Sequence, residues 1–460
     1  MGSKTQQLNT NSPAMDLVNG PVPKTLFLFS FPFMLSTLLQ TLYSTTDTIV
    51  VGQFLGSSGI SAVSNGSQIM QMLYAICIGF TNGGQVLIAQ AKGSGNKEKL
   101  QKIIHSLFIL GTILSLLLGA VCLVFCHPIL TLMSTPPEAY SQAGWYIIIC
   151  SIGIVFTGLY NMFSAVLRGL GDSRHPLIFV AIATGLNVVL DIWFVAFLHW
   201  NVAGAALATV IGQIVSVIFS TCYLKKHAGQ FGIDFDFLHF RIEKESAGLL
   251  LQLGLPMAVQ MGAVQISFLF VARMINGLGV TISAAFGVMQ KIRNFPNFIT
   301  QGFAMGAASM MGQNLGAKRL DRVNRVMHCC LLFTAVVDLA CLVLYLSAPE
   351  FCFRLFTQDK TVLAYAAMST LVLAIEIPAN CFMPACNSLV SAQGFVRLSF
   401  IVAMLDAFVG RIFFCWFLGS AMHLGAFGYF LGYIIGTYIT AAIVAFYYFS
   451  GLWKKRAALV

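Results

Sequence analysis

Apolar runs of about twenty residues or more recur along this chain from Thr25 to Leu452, separated by short polar breaks. Twelve can be drawn, at roughly 24–50, 60–90, 101–126, 138–167, 175–198, 202–224, 246–275, 282–315, 323–347, 360–391, 395–418 and 424–450. A helix crosses the hydrocarbon core of a bilayer with about 20 apolar residues, so every run is long enough. The longer ones must tilt, kink or protrude. The pattern predicts an all-α integral membrane protein with twelve transmembrane helices. Residues 1–23 are polar and are expected in the cytosol; they lack the basic, then apolar, then small-residue order of a cleaved signal.

Composition agrees with the pattern. The 460 residues are 58% hydrophobic and only 9% charged, with a mean hydropathy of +0.83, which no soluble domain of this length shows. The net charge of +10 could point to nucleic acid, but its distribution argues for topology instead. Alternate loops collect Lys92, Lys97, Lys99 and Lys102, then Arg168 and Arg174, then Lys225, Lys226, Arg241 and Lys244, then Lys318, Arg319, Arg322 and Arg325. Lys4, Lys24, Arg397 and the terminal Lys454-Lys455-Arg456 fall on the same side, whereas the opposite loops hold only Arg354 and Lys360. Basic residues stay on the cytoplasmic face, so both termini are predicted there and no nucleic-acid partner is expected. The twelve cysteines include many within apolar spans, among them Cys77, Cys150 and Cys415, and no CxxC or metal-binding spacing occurs, so they read as small core residues.

The chain repeats itself at an offset of about 223. Gln90 and Gly93 match Gln313 and Gly316; Pro32 matches Pro256; Leu55-Gly56 matches Leu278-Gly279. Leu170-Gly171 with Arg174 matches Gln393-Gly394 with Arg397, and Val210-Ile211-Gly212 matches Ile434-Ile435-Gly436. Five matches in one order predict a duplication of six helices. Six spans return the chain to its starting side, so the lobes are parallel repeats about a pseudo-two-fold axis along the membrane normal. The predicted organisation is a cytosolic segment 1–23, an N-terminal lobe 24–225, a polar cytosolic connector 226–245, a C-terminal lobe 246–453 and a cytosolic tail 454–460. Rocking of the lobes around a central site is the usual physics of such repeats.

Two acids interrupt the N-terminal spans. Asp47 lies in the first and Asp191 in the fifth, and Asn187 shares a helix face with Asp191 one turn away. An ionisable group at mid-helix costs at least ~2.5–3.5 kcal/mol and marks an ion or substrate path. No Lys or Arg lies within the first, fifth or sixth span to pair with them. The second half places Phe270 or Val271, Gly410 and Phe414 at the matching positions. It has its own charges, Arg273, Lys291, Arg293, Asp338, Glu376, Asp406 and Arg411. Asp406 and Arg411 are close enough in sequence to pair. Gln40, Tyr43, Asn161, Met257, Met261 and Glu376 are candidates to line a substrate cavity, Met because soft thioether surfaces suit promiscuous apolar binding. Pro32 cannot donate an intrahelical hydrogen bond and is the expected hinge of the first helix.

Several strings together resemble the multidrug and toxic compound extrusion (MATE) transporters, in particular the prokaryotic branch named for DNA-damage-inducible protein F. They are Pro32 followed by Asp47 in Tyr43-Ser44-Thr45-Thr46-Asp47; Leu167-Arg168-Gly169-Leu170-Gly171-Asp172; Asn187-x-x-x-Asp191; and Thr209 in the sixth span. The resemblance covers about 24–453. It implies a cation site in the N-terminal lobe made of Asp47, Asn187, Asp191 and Thr209. It further implies secondary antiport at a bacterial or archaeal plasma membrane, exporting amphipathic, mainly cationic compounds in exchange for H⁺ or Na⁺. No cofactor other than the coupling ion is implied, and the chain is expected to act as a monomer within the lipid bilayer. Acids in the seventh and tenth helices, as sodium-coupled relatives of another branch use them, are not matched: the seventh span has none and the tenth only Glu376. The major facilitator class is set aside because its basic loop signature after the second helix is missing.

The four side chains offer only oxygen towards a cation, which suits Na⁺ by the logic of hard-cation sites. The set equally suits H⁺, because two adjacent carboxylates in a low dielectric cannot both stay ionised. Either ion would compete with a cationic compound for the same negative charge. A lipid-linked saccharide flippase of the wider superfamily is the alternative. Such proteins often have fourteen helices and strongly basic cavities, which the twelve spans and the acidic site argue against. No HExxH, GxSxG or phosphate-binding glycine loop lies within the spans, so an enzyme is not expected.

Overall fold

A computed structural model describes residues 14–133, 135–236, 240–456 and 458–460. The side chains of Tyr43, Ser44, Thr48, Ser57, Ser58 and Leu132 also lie outside the described set. The candidate Tyr43 is therefore placed only by its backbone, on the first helix.

The described residues form helices and turns with no strand. Among them, twelve long helices follow in order: α1 Val22–Gly56, α2 Gly59–Ser94, α3 Lys97–Val124, α4 Pro137–Leu170, α5 Arg174–Phe197 and α6 Asn201–Phe231 make the N-terminal lobe. α7 Lys244–Asn276, α8 Val280–Gly316, α9 Leu320–Ser347, α10 Ala366–Ala392, α11 Val396–Ala421 and α12 Gly425–Phe449 make the C-terminal lobe. Eleven of these are long and apolar enough to cross a membrane. The exception, α8, is 37 residues long, but Gln290, Lys291, Arg293, Asn294 and Asn297 interrupt its apolar run. The tenth span begins later than its apolar run. Residues 360–365 form a separate short turn of helix, Lys360–Leu363, ahead of Ala366.

α1 and α2 meet at a sharp break rather than a loop. Gly56 has φ 64° and ψ −152°, a backbone conformation essentially confined to glycine. Pro32 is buried within α1, and the helix passes it without leaving helical φ/ψ. Within Val22–Ser94 only Gly56 leaves helical φ/ψ.

The string Leu167–Asp172 stops one helix and starts the next. Gly171 closes α4 at φ 100° and returns its N–H to Arg168, the left-handed cap that glycine favours. The buried Asp172 carboxylate accepts the backbone N–H groups of Arg174 (3.1 Å) and His175 (3.2 Å) at the start of α5. The Tyr223 hydroxyl donates to it from α6 at 2.8 Å. The same turn joins the last two helices of each lobe: His199 and Asn201 (φ 54° and 52°) correspond to His423 and Gly425 (φ 55° and 57°). The duplication is thus visible in backbone conformation as well as in sequence.

Each lobe has a core of its own, and two further cores are shared. Phe29 and Phe33 of α1 pack with Phe303 and Met310 of α8, and Phe80 and Leu87 of α2 with Leu250 and Leu253 of α7. Gly79 and Gly83 lie against the backbone of α7, and Gly302 and Gly306 against Met34 and Ser30 of α1. Small residues four apart let helices approach closely in a membrane. These contacts lie towards the end that carries the first and last described residues and the basic loops, hereafter the basic end. The connector is less detached than its polar residues imply. Ile233 and Phe235 are buried, with Phe235 against Phe108 and Phe163 at ring distances of 5.5 and 5.8 Å. Glu243 then accepts from Ser246 N at 2.8 Å and caps α7.

Candidate functional site

Asp47, Asn187, Asp191 and Thr209 come from three helices, α1, α5 and α6, and all four are buried. The fold brings them into one cluster. With its amide nitrogen facing the acids, Asn187 donates to Asp47 Oδ1 at 3.1 Å and to Asp191 Oδ2 at 3.3 Å. Asp47 also lies close to Asp191 and to Thr209. The Thr209 hydroxyl proton is already given to Ala205 O at 3.0 Å, so towards ionised carboxylates Thr209 presents an oxygen and no free proton. Asp191 Oδ1 is buried and has no partner among the described residues. Directly after Asp191 the helix widens into a π segment, Ile192–Phe197, a distortion that is frequent at functional sites.

Among the described residues no basic side chain acts on either carboxylate. Two buried acids without a cation between them are costly unless they share a proton or hold an ion. Among the same residues no three His, Cys, Asp or Glu side chains cluster as a metal site. Two carboxylates with neutral oxygens fit a proton or a single monovalent cation better than a tightly held divalent metal.

Among the described residues, the C-terminal lobe pairs two of its three buried acids with arginines. Arg293 on α8 donates from Nε to Glu376 Oε2 at 2.8 Å and from Nη2 to Oε1 at 2.5 Å. Thr437 adds a third donor to Glu376 Oε1 at 2.8 Å. Glu376, a cavity candidate from the sequence, is therefore buried in α10 and committed to a bidentate ion pair. Arg411 Nη2 pairs with Asp406 Oδ2 at 2.8 Å. In an α-helix residues five apart diverge; here Leu405–Phe413 is a π segment, whose five-residue repeat brings them together. Arg411 also lies over the Phe268 ring at 4.7 Å, and Arg293 over Tyr433 at 5.3 Å. Asp338 accepts from Asn380 at 3.1 Å.

Between the lobes is a cavity of about 140 Å³ lined by Met257 and Met261, with Met305, Gln85, Gln260 and Asn387 among its other walls. The two methionines are where their place in the seventh span puts them. Gln40 is exposed on α1, Asn161 donates to Thr157 O of its own helix at 2.9 Å, and neither lines this cavity. The amides Gln85, Gln260 and Asn387 were missed; carboxamides inside apolar spans are the signal that could have found them.

Comparison with known proteins matches this architecture. The family model MatE matches twice, over residues 32–193 and 256–417, once in each lobe. The chain is 28% identical over 450 residues to "Probable multidrug resistance protein YpnP" of Bacillus subtilis (strain 168), covering 96% of this chain and 98% of that one. It is 24% identical over 394 residues to "Multidrug export protein MepA" of Staphylococcus aureus (strain MRSA252), covering 85% and 86%. A solved structure described as the outward-facing conformation of a multidrug resistance MATE family transporter superposes with a TM-score of 0.87 at 23% identity, over 95% of this chain and 97% of that one. Two matched repeats, twelve long helices and near-complete coverage lead to one conclusion: the chain belongs to the MatE family, the multidrug and toxic compound extrusion transporters of the membrane.

Proposed function

We propose that this protein is a secondary antiporter of a prokaryotic plasma membrane. It exports amphipathic, mainly cationic compounds by alternating access, in exchange for H⁺ or Na⁺. Both termini and the basic loops face the cytoplasm. The observation that carries this reading is the buried pair Asp47 and Asp191, bridged by Asn187 and lacking a basic partner among the described residues. A site of this kind changes its charge when an ion arrives or leaves, which is what coupling requires. A ligand shifts the two access states only through differential affinity for them; a cation that neutralises the pair removes the attraction for a cationic compound. Two carboxyl groups this close in a buried site are relieved by a shared proton, which supports H⁺ as the coupling ion. The central cavity with its methionines and amides supplies the apolar, adaptable surface for the exported compound. Pro32, fifteen residues before Asp47, is the proposed flexible point of α1 between states.

The test uses purified protein in proteoliposomes. A proton gradient and a sodium gradient are imposed separately, and movement of a fluorescent organic cation is followed. Exchange driven by one gradient identifies the ion. No exchange under either gradient removes the antiport reading.

A further inference from the structure

The repeated Gln-x-x-Gly string, which marks the duplication, meets its own copy across the lobes. Gln90 on α2 is fully buried and donates from Nε2 to Ala392 O at the end of α10, at 2.7 Å. Gln313 on α8, also buried, donates from Nε2 to Gly169 O near the end of α4, at 2.9 Å. Both glutamines and both acceptors are related by the same offset as the sequence repeat. Each bond therefore runs from the second helix of one lobe to the fourth helix of the other. The glycines complete the contact. A methyl group on Gly93 would collide with the Gln313 carbonyl oxygen, and one on Gly316 with the Gln90 carbonyl oxygen. α2 and α8 thus cross backbone against backbone at the basic end of the cleft.

We propose that Gln90, Gly93, Gln313 and Gly316 form a releasable lock whose two symmetric bonds must break for the basic end to open, making the glutamines positioning residues of the transport cycle. This rests on the alternating-access reading above. Uncharged amide–carbonyl bonds suit a contact that must part and re-form. On opening, water replaces the lost partner, so each bond contributes modestly to the closed state. An ion pair buried at the same place would be harder to part, since separation leaves charges poorly solvated. The lock also senses the tail. Leu459 N donates to Gln90 Oε1 at 2.8 Å, so the same carboxamide is gripped at both ends by the C-terminal part of the chain.

The test measures the lock without relying on transport. Nitroxide labels are introduced through a non-canonical amino acid at the exposed positions Glu98 and Asp321, one on each lobe at the basic end, in the full-length protein in lipid nanodiscs. Double electron–electron resonance then reports the inter-lobe distance. Wild type is expected to be dominated by the short distance. The pair Gln90→Ala and Gln313→Ala should raise the open-to-closed ratio roughly ten- to thirtyfold, the loss of two net hydrogen bonds. Gln90→Glu, which keeps the size and loses the donor, should open it as well. Gly93→Ala should do so by collision, and alanine is the better helix former, so α2 itself still folds. Unchanged distances in all these variants, with wild-type melting temperatures, would overturn the lock. Absence of transport by the wild type would instead overturn the antiport reading, and the distance measurement would still decide the lock.

Discussion

The two lobes share a fold and differ in how they neutralise buried acid. In the N-terminal lobe Asp47 and Asp191 face one another with an amide between them and no base among the described residues. In the C-terminal lobe Glu376 and Asp406 each hold an arginine, and Asp338 alone rests on an amide, that of Asn380. The positions that would repeat the N-lobe site are taken by Gly410 and Phe414. A buried acid with a fixed counter-charge is already neutral as a pair and gains little from an incoming ion. A buried acid without one must recruit its compensation from outside. The same helix scaffold thus offers one lobe whose paired acids can respond to ions and one in which Glu376 and Asp406 act as internal ties.

The comparison can be broken most decisively at the acids. Asp47→Asn and Asp191→Asn are each expected to abolish gradient-driven exchange in proteoliposomes while the protein still folds; wild-type exchange by either variant would take that residue out of the coupling site. In the other lobe, Arg293→Met leaves Glu376 buried and unpaired, an expected loss of about 3–5 kcal/mol of stability, read as a lowered unfolding midpoint in detergent. Replacing both, Arg293→Met with Glu376→Leu, should recover most of that loss. If the single change leaves the midpoint alone but stops exchange, the pair belongs to the transport chemistry and the contrast between lobes fails. Thr209→Val removes one oxygen from the N-lobe cluster and should slow exchange by roughly tenfold, the worth of one hydrogen bond or ligand contact, with the unfolding midpoint unchanged. The smallest effect is expected from Leu459→Pro, which deletes the donor to Gln90. It should shift the closed state at the basic end by about 0.5–1 kcal/mol, in the same distance measurement.

Much of this was legible in the chain. Runs of apolar residues set the helices, because a bilayer accepts only segments that satisfy their own backbone. The break between the first two helices was harder to read. The polar interval around 51–59 suggests a loop, yet a single glycine turns the chain and the two helices nearly touch in sequence. The connector misled for the opposite reason. Its charges are plain, but Ile233 and Phe235 are anchored in a core built by distant α3 and α4. Pairing was least visible of all. Nothing in the local sequence joins Arg293 to Glu376, 83 residues away, and Asp406 meets Arg411 only because the helix there adopts π winding.

By itself the sequence determined the membrane class, the six-plus-six duplication and the placement of Asp47 and Asp191 in one half only, because each is a matter of hydropathy, period and residue type. Tertiary structure alone decided which polar groups are satisfied by which. A hydrogen bond or ion pair is worth its energy only at contact distance, and contact between α1, α5 and α6, or between Gln90 and the far lobe, is made by packing, not by order along the chain.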